Sequence, residues 1–302
     1  MPSHVLPRPR RSAGRSRLAA LAAGAVLALT TALVPAGAAS AATPTLSVLA
    51  LGDSVTQGYG TCGSFADCPR NNWSTGTNTT VNSFTQRLRA ANPGTTVTAA
   101  NYSVSGDLIA AVPSRVDTAV AAGVKPDVVT LLIGGNDLCS AKNPVAADGY
   151  TMTPASTFSA SATTAITKIR STWPAAKIVL ASMPNVAGEW AVVRSGFGAV
   201  IWSSGNICRT TRGVSATGAK LSTTAASASA AAAKTRTAQY NTALQNACAA
   251  AGTLCDYDGG ALTATPVTSS LIGKVDYFHP SIAGQAKIAS VQWSASNFAT
   301  TG

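Results

Sequence analysis

The segment TLSVLALGDS, residues 45–54, places an apolar run directly before a Gly-Asp-Ser sequence. Leu, Val and Ala dominate residues 46–51, as expected for a strand that is buried on both faces of a sheet. Gly52 ends this run, and the chain must turn away from the sheet there. The segment therefore predicts a parallel strand that ends in a polar loop carrying Ser54.

Apolar, β-branched runs recur along the chain and alternate with longer segments of helical character. The further runs are residues 96–102, 127–133 and 177–182, with a weaker one at 253–257. Alternation of this kind is typical of βαβ units and of a parallel sheet covered by helices on both faces. We therefore predict an α/β fold with a five-stranded parallel sheet.

The segments between these runs carry helix signals. Residues 81–91 end at Asn-Pro-Gly, residues 108–122 end at a glycine but contain Pro113, and a Thr-Pro pair at 153–154 opens a helix that reaches about Trp173. Residues 216–251 are almost all Ala, Ser and Thr, a composition that also occurs in disordered linkers. Because alanine is the strongest helix former, we predict a helix there.

Residues 1–41 have the pattern of a secretory signal peptide. Five arginines precede an apolar run at 18–34 and the small-residue site Ala-Ser-Ala at 39–41. A membrane anchor is the alternative, but the run is short and interrupted by Gly24 and two threonines. We expect cleavage after Ala41, leaving residues 42–302 as a single secreted, extracellular domain.

The charge balance argues against a nucleic-acid partner. The full chain has 22 Lys and Arg against 11 Asp and Glu, a formal net charge of +11, and five of the cations lie in the predicted signal peptide. The remaining cations are dispersed, without a basic stripe interleaved with aromatic residues. We therefore expect no nucleic-acid partner, no stable membrane insertion after cleavage, and a monomer.

Six cysteines lie in the predicted mature part: Cys62, Cys68, Cys139, Cys208, Cys248 and Cys255. Export would expose them to an oxidising compartment, so we expect disulfides. Six cysteines allow fifteen pairings. Nearness in sequence favours Cys62 with Cys68 and Cys248 with Cys255, which leaves Cys139 for Cys208. Zinc ligation and a thiol nucleophile are weaker alternatives, because CxxC pairs are absent.

Three predicted strand ends carry residues suited to acyl transfer. They are Gly-Asp-Ser at 52–54, Ser-Gly-Asp at 105–107 and Gly-Gly-Asn-Asp at 134–137. In the flavodoxin-like strand order 2-1-3-4-5, the first strand lies between the second and third, so these ends meet at one sheet edge. The Ser54 hydroxyl would then be a nucleophile. The backbone N–H groups of Ser54 and Gly106 and the Asn136 amide would be donors to a developing oxyanion.

A serine nucleophile requires a general base, and the predicted mature part has a single histidine, His279. Asp276 lies three residues before it and would orient the imidazole. Each of these sequences taken alone is a common turn composition, and a lone histidine is more often structural. Their combination points to a serine hydrolase.

The four blocks resemble those of the SGNH hydrolases, also called GDSL lipases and esterases. The matching residues are Gly52-Asp53-Ser54 continuing to Gly58, then Gly106, then residues 134–137, then Asp276 to His279. This resemblance implies a flavodoxin-like three-layer α/β/α fold and hydrolysis of carboxylic esters without metal or cofactor. It also implies Ser54 as nucleophile, Gly106 and Asn136 as oxyanion donors, and His279 as base. Some family members orient the histidine with a backbone carbonyl, so the role of Asp276 stays open here.

The leader, the domain length and the cysteines look most like the secreted bacterial lipase and phospholipase branch of that family. We therefore expect a lipid ester, acylglycerol or phospholipid, as substrate. The alternatives are a carbohydrate acetylesterase and, from another class, a non-catalytic surface-binding protein. Trp190, Phe197 and Trp202 lie in the segment after the fourth strand. They either wall an acyl pocket or belong to the core.

Overall fold

The computed structural model describes residues 43–300. The predicted signal peptide at 1–41 lies outside the described residues, so it stays a prediction, as do the domain boundaries drawn from it. Among residues 43–300, no helix is long and apolar enough to cross a membrane.

The centre of the fold is a five-stranded sheet in the order β2-β1-β3-β4-β5, and every neighbouring pair is parallel. This confirms the predicted fold class and strand order. The strands are β1 (Thr45–Gly52), β2 (Thr96–Asn101), β3 (Val128–Leu132), β4 (Lys177–Leu180) and β5 (Cys255–Tyr257).

The described residues form ten α-helices, several of them only one or two turns long. The long ones follow the predicted positions, whereas three short helices occupy the segment between β4 and α8. In chain order they are α1 (Phe84–Ala91), α2 (Val112–Ala121), α3 (Gly135–Cys139), α4 (Ala155–Thr172), α5 (Val186–Val193), α6 (Phe197–Ser204), α7 (Arg209–Arg212), α8 (Thr223–Ala250), α9 (Ala261–Ala264) and α10 (Ile282–Ala295).

Two hydrophobic cores cover the two faces of the sheet, which makes the fold a three-layer sandwich. Alternate strand residues such as Leu49 and Leu131 pack with α2, α4 and α8 on one face. Val48 and Val179 point to the other face and pack with α1 and α10. The period-two alternation of side chains along each strand is what divides the apolar residues between the layers.

Helix ends differ from the predicted ones for local reasons. Helix α1 begins at Phe84 because Ser83 and Gln86 form a capping box. Helix α2 begins at Val112 with proline in its first turn, after a short 3₁₀ turn. The alanine-rich segment is helical as predicted, but only from Thr223, where the Ser222 side chain caps the first turn.

Three disulfides connect the six cysteines: Cys62–Cys68, Cys139–Cys208 and Cys248–Cys255. These are the pairs that nearness in sequence favours. Cys248 and Cys255 join the end of α8 to β5. Cys139 and Cys208 join the end of α3 to the residue before α7, across 69 residues of chain.

Candidate active site

The register of the three central strands aligns the loops that follow them. Ala50 of β1 pairs with Asn101 of β2, and Gly52 pairs with Leu132 of β3. The chain leaves the sheet at nearly the same height in all three places. The carboxyl ends of parallel strands are where ligands bind in such sheets.

Ser54 lies in a tight turn at the end of β1. The N–H groups of Thr56 and Gln57 donate to the Asp53 carbonyl over 3.0 and 3.1 Å, so the backbone around the serine is held by its own hydrogen bonds. Gly52 has a φ of +141°, and a Cβ there would lie 2.3 Å from the Leu132 carbonyl oxygen. Only glycine fits at this exit from the sheet.

His279 contacts Ser54 directly. The imidazole Nε2 lies 2.7 Å from the Ser54 Oγ, within hydrogen-bond distance, although 225 residues separate the two in sequence. Ser54 is buried, with 8% of its surface exposed to solvent, and His279 is half-buried. The predicted nucleophile and the predicted base are therefore in contact.

Asp276 orients the imidazole and also folds the loop that carries it. Its Oδ2 lies 2.5 Å from the His279 Nδ1. Its Oδ1 accepts hydrogen bonds from the backbone N–H groups of Phe278 and His279, at 3.0 and 2.9 Å. Tyr277, between them, adopts a left-handed backbone conformation with φ of +55°. A side-chain carboxylate, rather than a backbone carbonyl, is the group that contacts His279 Nδ1.

The charge of Asp276 matches this geometry. Burial alone would raise the pKa of Asp276, but the hydrogen bond and charge of His279, with the two backbone N–H groups, lower it below its ordinary value. The group therefore stays ionised and favours the imidazolium that a proton transfer from Ser54 would produce.

Asn136 reaches the same cavity from β3. It lies in the first turn of α3, and its Nδ2 donates a hydrogen bond to the Asp107 carbonyl at 3.0 Å. That bond uses one of the two amide hydrogens, which leaves the other for a ligand. Ser54, Asn136 and His279 all line a cavity of about 20 Å³, called here the serine cavity.

Gly106 lies apart from that cavity lining. It is exposed, with φ of +91°, and a Cβ added there would meet nothing within 4 Å. Its glycine is therefore explained by the left-handed backbone, since no neighbouring atom crowds the position. In the described part of the chain, the N–H groups of Gly106 and Ser54 donate to no protein acceptor. Both remain free to bind an oxyanion.

Two buried aspartates shape the loops around the site without contacting His279 Nδ1. Burial raises the pKa of Asp53 to about 7, and its Oδ1 accepts from the Val55 N–H at 2.9 Å. Burial also raises the pKa of Asp137 to about 6; its carboxylate accepts from the Ile109 N–H and the Thr153 hydroxyl. Asp137 thus ties the loop after β2 to the loop after β3, a role that the sequence did not reveal.

The three aromatic residues considered as an acyl-pocket wall do not line the serine cavity. Trp202 is fully buried and donates a hydrogen bond from Nε1 to the Tyr277 carbonyl at 2.8 Å. Trp190 stacks on Trp202, with ring centroids 5.2 Å apart. Phe197 is 61% exposed and meets the edge of Tyr277. Through Tyr277, these rings contact the loop that carries His279.

A second cavity, called here the side cavity, adjoins the serine cavity. It has a volume of about 50 Å³, and apolar residues such as Leu262, Ile272 and Ile288 form much of its wall. The two cavities share four lining residues: Pro184, Glu189, Phe278 and Pro280. Glu189 is the one ionisable residue of these four, and sequence reasoning missed it because nothing near it in the chain forms a motif.

A serine hydroxyl, an imidazole, a carboxylate and a nearby amide in this arrangement are characteristic of serine hydrolases. The chain matches the model of the GDSL-like lipase/acylhydrolase family over residues 50–287. The match covers well over half of the chain, so this protein belongs to the GDSL-like lipase/acylhydrolase family, a family of ester hydrolases. No curated protein sequence matches the chain significantly.

Solved structures with the same fold are distant in sequence. An alpha/beta hydrolase enzyme from the metagenome of Lake Arreo is 17% identical, with a TM-score of 0.50, covering 83% of this chain and 94% of that one. A Geobacillus acetyl-xylooligosaccharide esterase is 16% identical, with a TM-score of 0.51, covering 84% and 95%. An extracellular lipase from Streptomyces rimosus is 18% identical, with a TM-score of 0.46, covering 83% and 100%. For the first two structures, the likeness at these identities shows the fold alone.

Proposed function

We propose that this protein is a secreted serine esterase that hydrolyses carboxylic esters through an acyl-enzyme on Ser54. The observation that carries the proposal is the continuous contact from Ser54 Oγ through His279 to Asp276. The three disulfides support the exported location, because disulfides persist in oxidising compartments.

The first half of the reaction forms the acyl-enzyme. Ser54 Oγ attacks the ester carbonyl carbon while its proton moves to His279 Nε2, and the carbonyl oxygen becomes an oxyanion. The bond between that carbon and the alcohol oxygen then breaks. His279 gives its proton to the departing alcohol, so the imidazole returns to its neutral form.

Water completes the reaction through the same groups. A water molecule attacks the acyl carbon and gives a proton to His279; the bond to Ser54 Oγ then breaks, and the serine regains the proton. Donors for the oxyanion in both steps would be the free N–H groups of Ser54 and Gly106 and the second amide hydrogen of Asn136. Ser54 and Asn136 already line the serine cavity, so these two donors need no rearrangement at the moment of reaction.

Cavity size favours short acyl groups. The serine cavity, where Ser54 must meet the ester carbonyl, has a volume of only about 20 Å³, which is small compared with pockets that enclose a large ligand. Among lipid esters we therefore propose short-chain acylglycerols before long-chain phospholipids. The small serine cavity also supports the alternative, an acetylesterase acting on carbohydrate.

Two measurements test this function. A fluorophosphonate should label the wild-type protein at Ser54 and leave the Ser54→Ala variant unlabelled. Hydrolysis of p-nitrophenyl esters from acetyl to palmitoyl should be fastest at the short end and fall as the chain outgrows the serine cavity. A protein that resists labelling contradicts the serine mechanism, and a maximum at long chains contradicts the proposed size limit.

A further inference from the structure

Glu189 is the only glutamate in the 302-residue chain. It lies in the first turn of α5, a helix that runs past the serine cavity. Its position gives it contact with both cavities, since it lines the serine cavity beside His279 and also lines the side cavity. The mechanism proposed above makes no use of this carboxyl group.

The Glu189 carboxyl has no protein partner in the described part of the chain: its backbone N–H bonds to Asn185, and no hydrogen bond or ion pair acts on its side chain, whose pKa responds to burial and to Asp276. Three residues without a polar side-chain atom share the boundary between the cavities with it: Pro184, Phe278 and Pro280. Glu189 is half-buried, so its carboxyl takes its hydrogen bonds from the molecule that fills the cavity. At the border of a substrate cavity, that molecule is the substrate.

The charge of Glu189 indicates what kind of partner fits. Burial raises the pKa of Glu189 to about 8, and the nearby Asp276 carboxylate raises it further in the same direction. At neutral pH the group is therefore mainly a neutral acid, which donates one hydrogen bond and accepts others. Its ionisable neighbours are Asp53, Asp276 and His279, while Lys287 lines the outer side cavity. A cationic headgroup would meet a neutral acid and a lysine, so a hydroxyl is the better partner.

The geometry also indicates which part of the substrate faces Glu189. His279 must reach the leaving alcohol oxygen to protonate it, so the alcohol part of the ester lies on the side of His279. Glu189 is close enough to Asp276, the partner of His279, for the Asp276 charge to raise its pKa. It lines the serine cavity together with His279, and we take it to face the alcohol part of the ester. Asn136, the oxyanion donor, approaches instead from the loop after β3.

We propose that Glu189 is a specificity-determining residue that hydrogen-bonds a hydroxyl of the alcohol part of the substrate, so that the preferred substrates are esters of polyols. This inference rests on the proposed esterase function and narrows it. It covers both partly acylated glycerol and sugar esters, because each presents a hydroxyl on the carbon adjacent to the one that carries the ester oxygen. An ester without that hydroxyl leaves this half-buried carboxyl without its partner in the cavity, which is why one hydroxyl should discriminate between esters.

A matched pair of substrates tests the proposal. 2-Hydroxyethyl acetate and ethyl acetate differ by one hydroxyl on the alcohol side, and we expect the wild-type protein to prefer the first about ten-fold or more in kcat/KM. In Glu189→Met, which keeps the side-chain length, this ratio should fall to about one. In Glu189→Gln, whose amide still donates and accepts, most of the preference should remain.

Val186→Ala is the matched control, because Val186 lines the serine cavity from the same helix without a polar group. It should change both rates together and leave their ratio as in the wild type. A ratio that Glu189→Met leaves unchanged overturns the proposal. So does a preference for ethyl glycolate over ethyl acetate that Glu189→Met removes, since that hydroxyl lies on the acid side.

Two further substrates, glycerol monoacetate and an acetylated methyl xyloside, distinguish a glycerol ester from a sugar ester as the preferred substrate. Glu189→Met should reduce kcat/KM most on the ester that the wild-type protein hydrolyses better. A larger effect on the glycerol ester identifies a lipid-like polyol, and a larger effect on the xyloside identifies a carbohydrate. If the wild-type protein hydrolyses both esters at one rate and Glu189→Met leaves that rate unchanged, Glu189 contacts neither the glycerol nor the sugar.

A binding measurement separates this proposal from the esterase function. Because the chain has one glutamate, protein labelled with ¹³C at the glutamate side-chain carboxyl gives a single resonance that belongs to Glu189. In the Ser54→Ala variant, 2-hydroxyethyl acetate should shift this resonance and ethyl acetate should not. A shift without any hydrolysis by the wild type would refute the esterase and keep the contact. Hydrolysis with no shift would refute the contact alone.

Discussion

The two sides of the serine cavity are built in different ways. On the sheet side, Ser54 and Asn136 lie within a few residues of strand ends, and backbone hydrogen bonds and parallel register fix their positions. On the opposite side, α5 and the loop of residues 276–280 form a wall that is held by side chains: the Trp202 indole bonds to Tyr277, and Trp190 stacks behind it.

This difference places the proposed nucleophile and the Asn136 donor on one side, and the proposed base together with the residue proposed to govern selectivity on the other. The sheet side holds the groups that act on any ester carbonyl, and it tolerates little change, as the close contact expected at Gly52 shows. The wall side holds His279 in place and presents Glu189 to the substrate. Substitutions on the sheet side should therefore alter kcat for all esters, and those on the wall side should mainly alter which esters are preferred or how well His279 is held.

The largest effect is expected at the nucleophile. Ser54→Ala should lower kcat/KM by about 10⁴-fold or more on every ester, because the acyl-enzyme can no longer form. Folding should be unchanged, since alanine only removes a hydroxyl at a turn. Steady-state kinetics on p-nitrophenyl acetate, with a thermal melt beside it, makes the measurement. Residual activity within ten-fold of the wild type would point to another nucleophile.

A smaller loss is expected at the side-chain oxyanion donor. Asn136→Ala should lower kcat by about 10²–10³-fold with little change in KM, because the donor acts mainly in the transition state. Kinetics across several acyl lengths should show the same fold-loss of kcat for each ester, because the sheet side is expected to act on all esters alike.

Asn143→Ala serves as the control for that loss. Asn143 also donates its amide within this region, to the carbonyls of Asn136 and Asp137, but it does not line the serine cavity. This variant should melt earlier and retain more kcat than Asn136→Ala. If both variants lose kcat by the same factor, Asn136 acts by supporting the loop and not as an oxyanion donor.

The smallest effect is expected at Trp202 and Trp190, the two stacked indoles next to the loop of His279. Trp202→Phe keeps a ring in the core but removes the hydrogen bond to the Tyr277 carbonyl, and should lower kcat about three- to ten-fold by loosening the His279 loop. Trp190→Phe, which preserves the stacking partner of Trp202, should have a weaker effect. If the two variants behave alike, the indole hydrogen bond does not position the loop.

The sheet was predictable because local patterns and topology coincide in this chain. Each strand is a short apolar run with turn residues after it, and the parallel order then brings the ends of β1, β2 and β3 together whatever the intervening helices do. Ser54 and Asn136 could be placed for this reason. His279 was identifiable because no other histidine follows the predicted leader.

The wall was not predictable, because contacts between distant residues build it. Trp202 and Tyr277 are 75 residues apart, and nothing in the spacing of either shows that the indole will bond to that carbonyl. Aromatic content alone cannot separate a pocket lining from a core cluster, since both bury rings. Glu189 gave one weak signal, its singularity as a glutamate, and only the fold shows that it borders the cavities.

The bond between Cys139 and Cys208 runs from the helix of Asn136 to the chain that follows α6, and so joins the two sides of the molecule contrasted above. Production of the protein in a reducing cytosol would leave all three disulfides open, and the chain after α6 would lose its covalent link to the helix of Asn136. Such a preparation should still hydrolyse simple esters but discriminate poorly among them. The compartment chosen for expression therefore becomes a variable in every substrate profile of this enzyme.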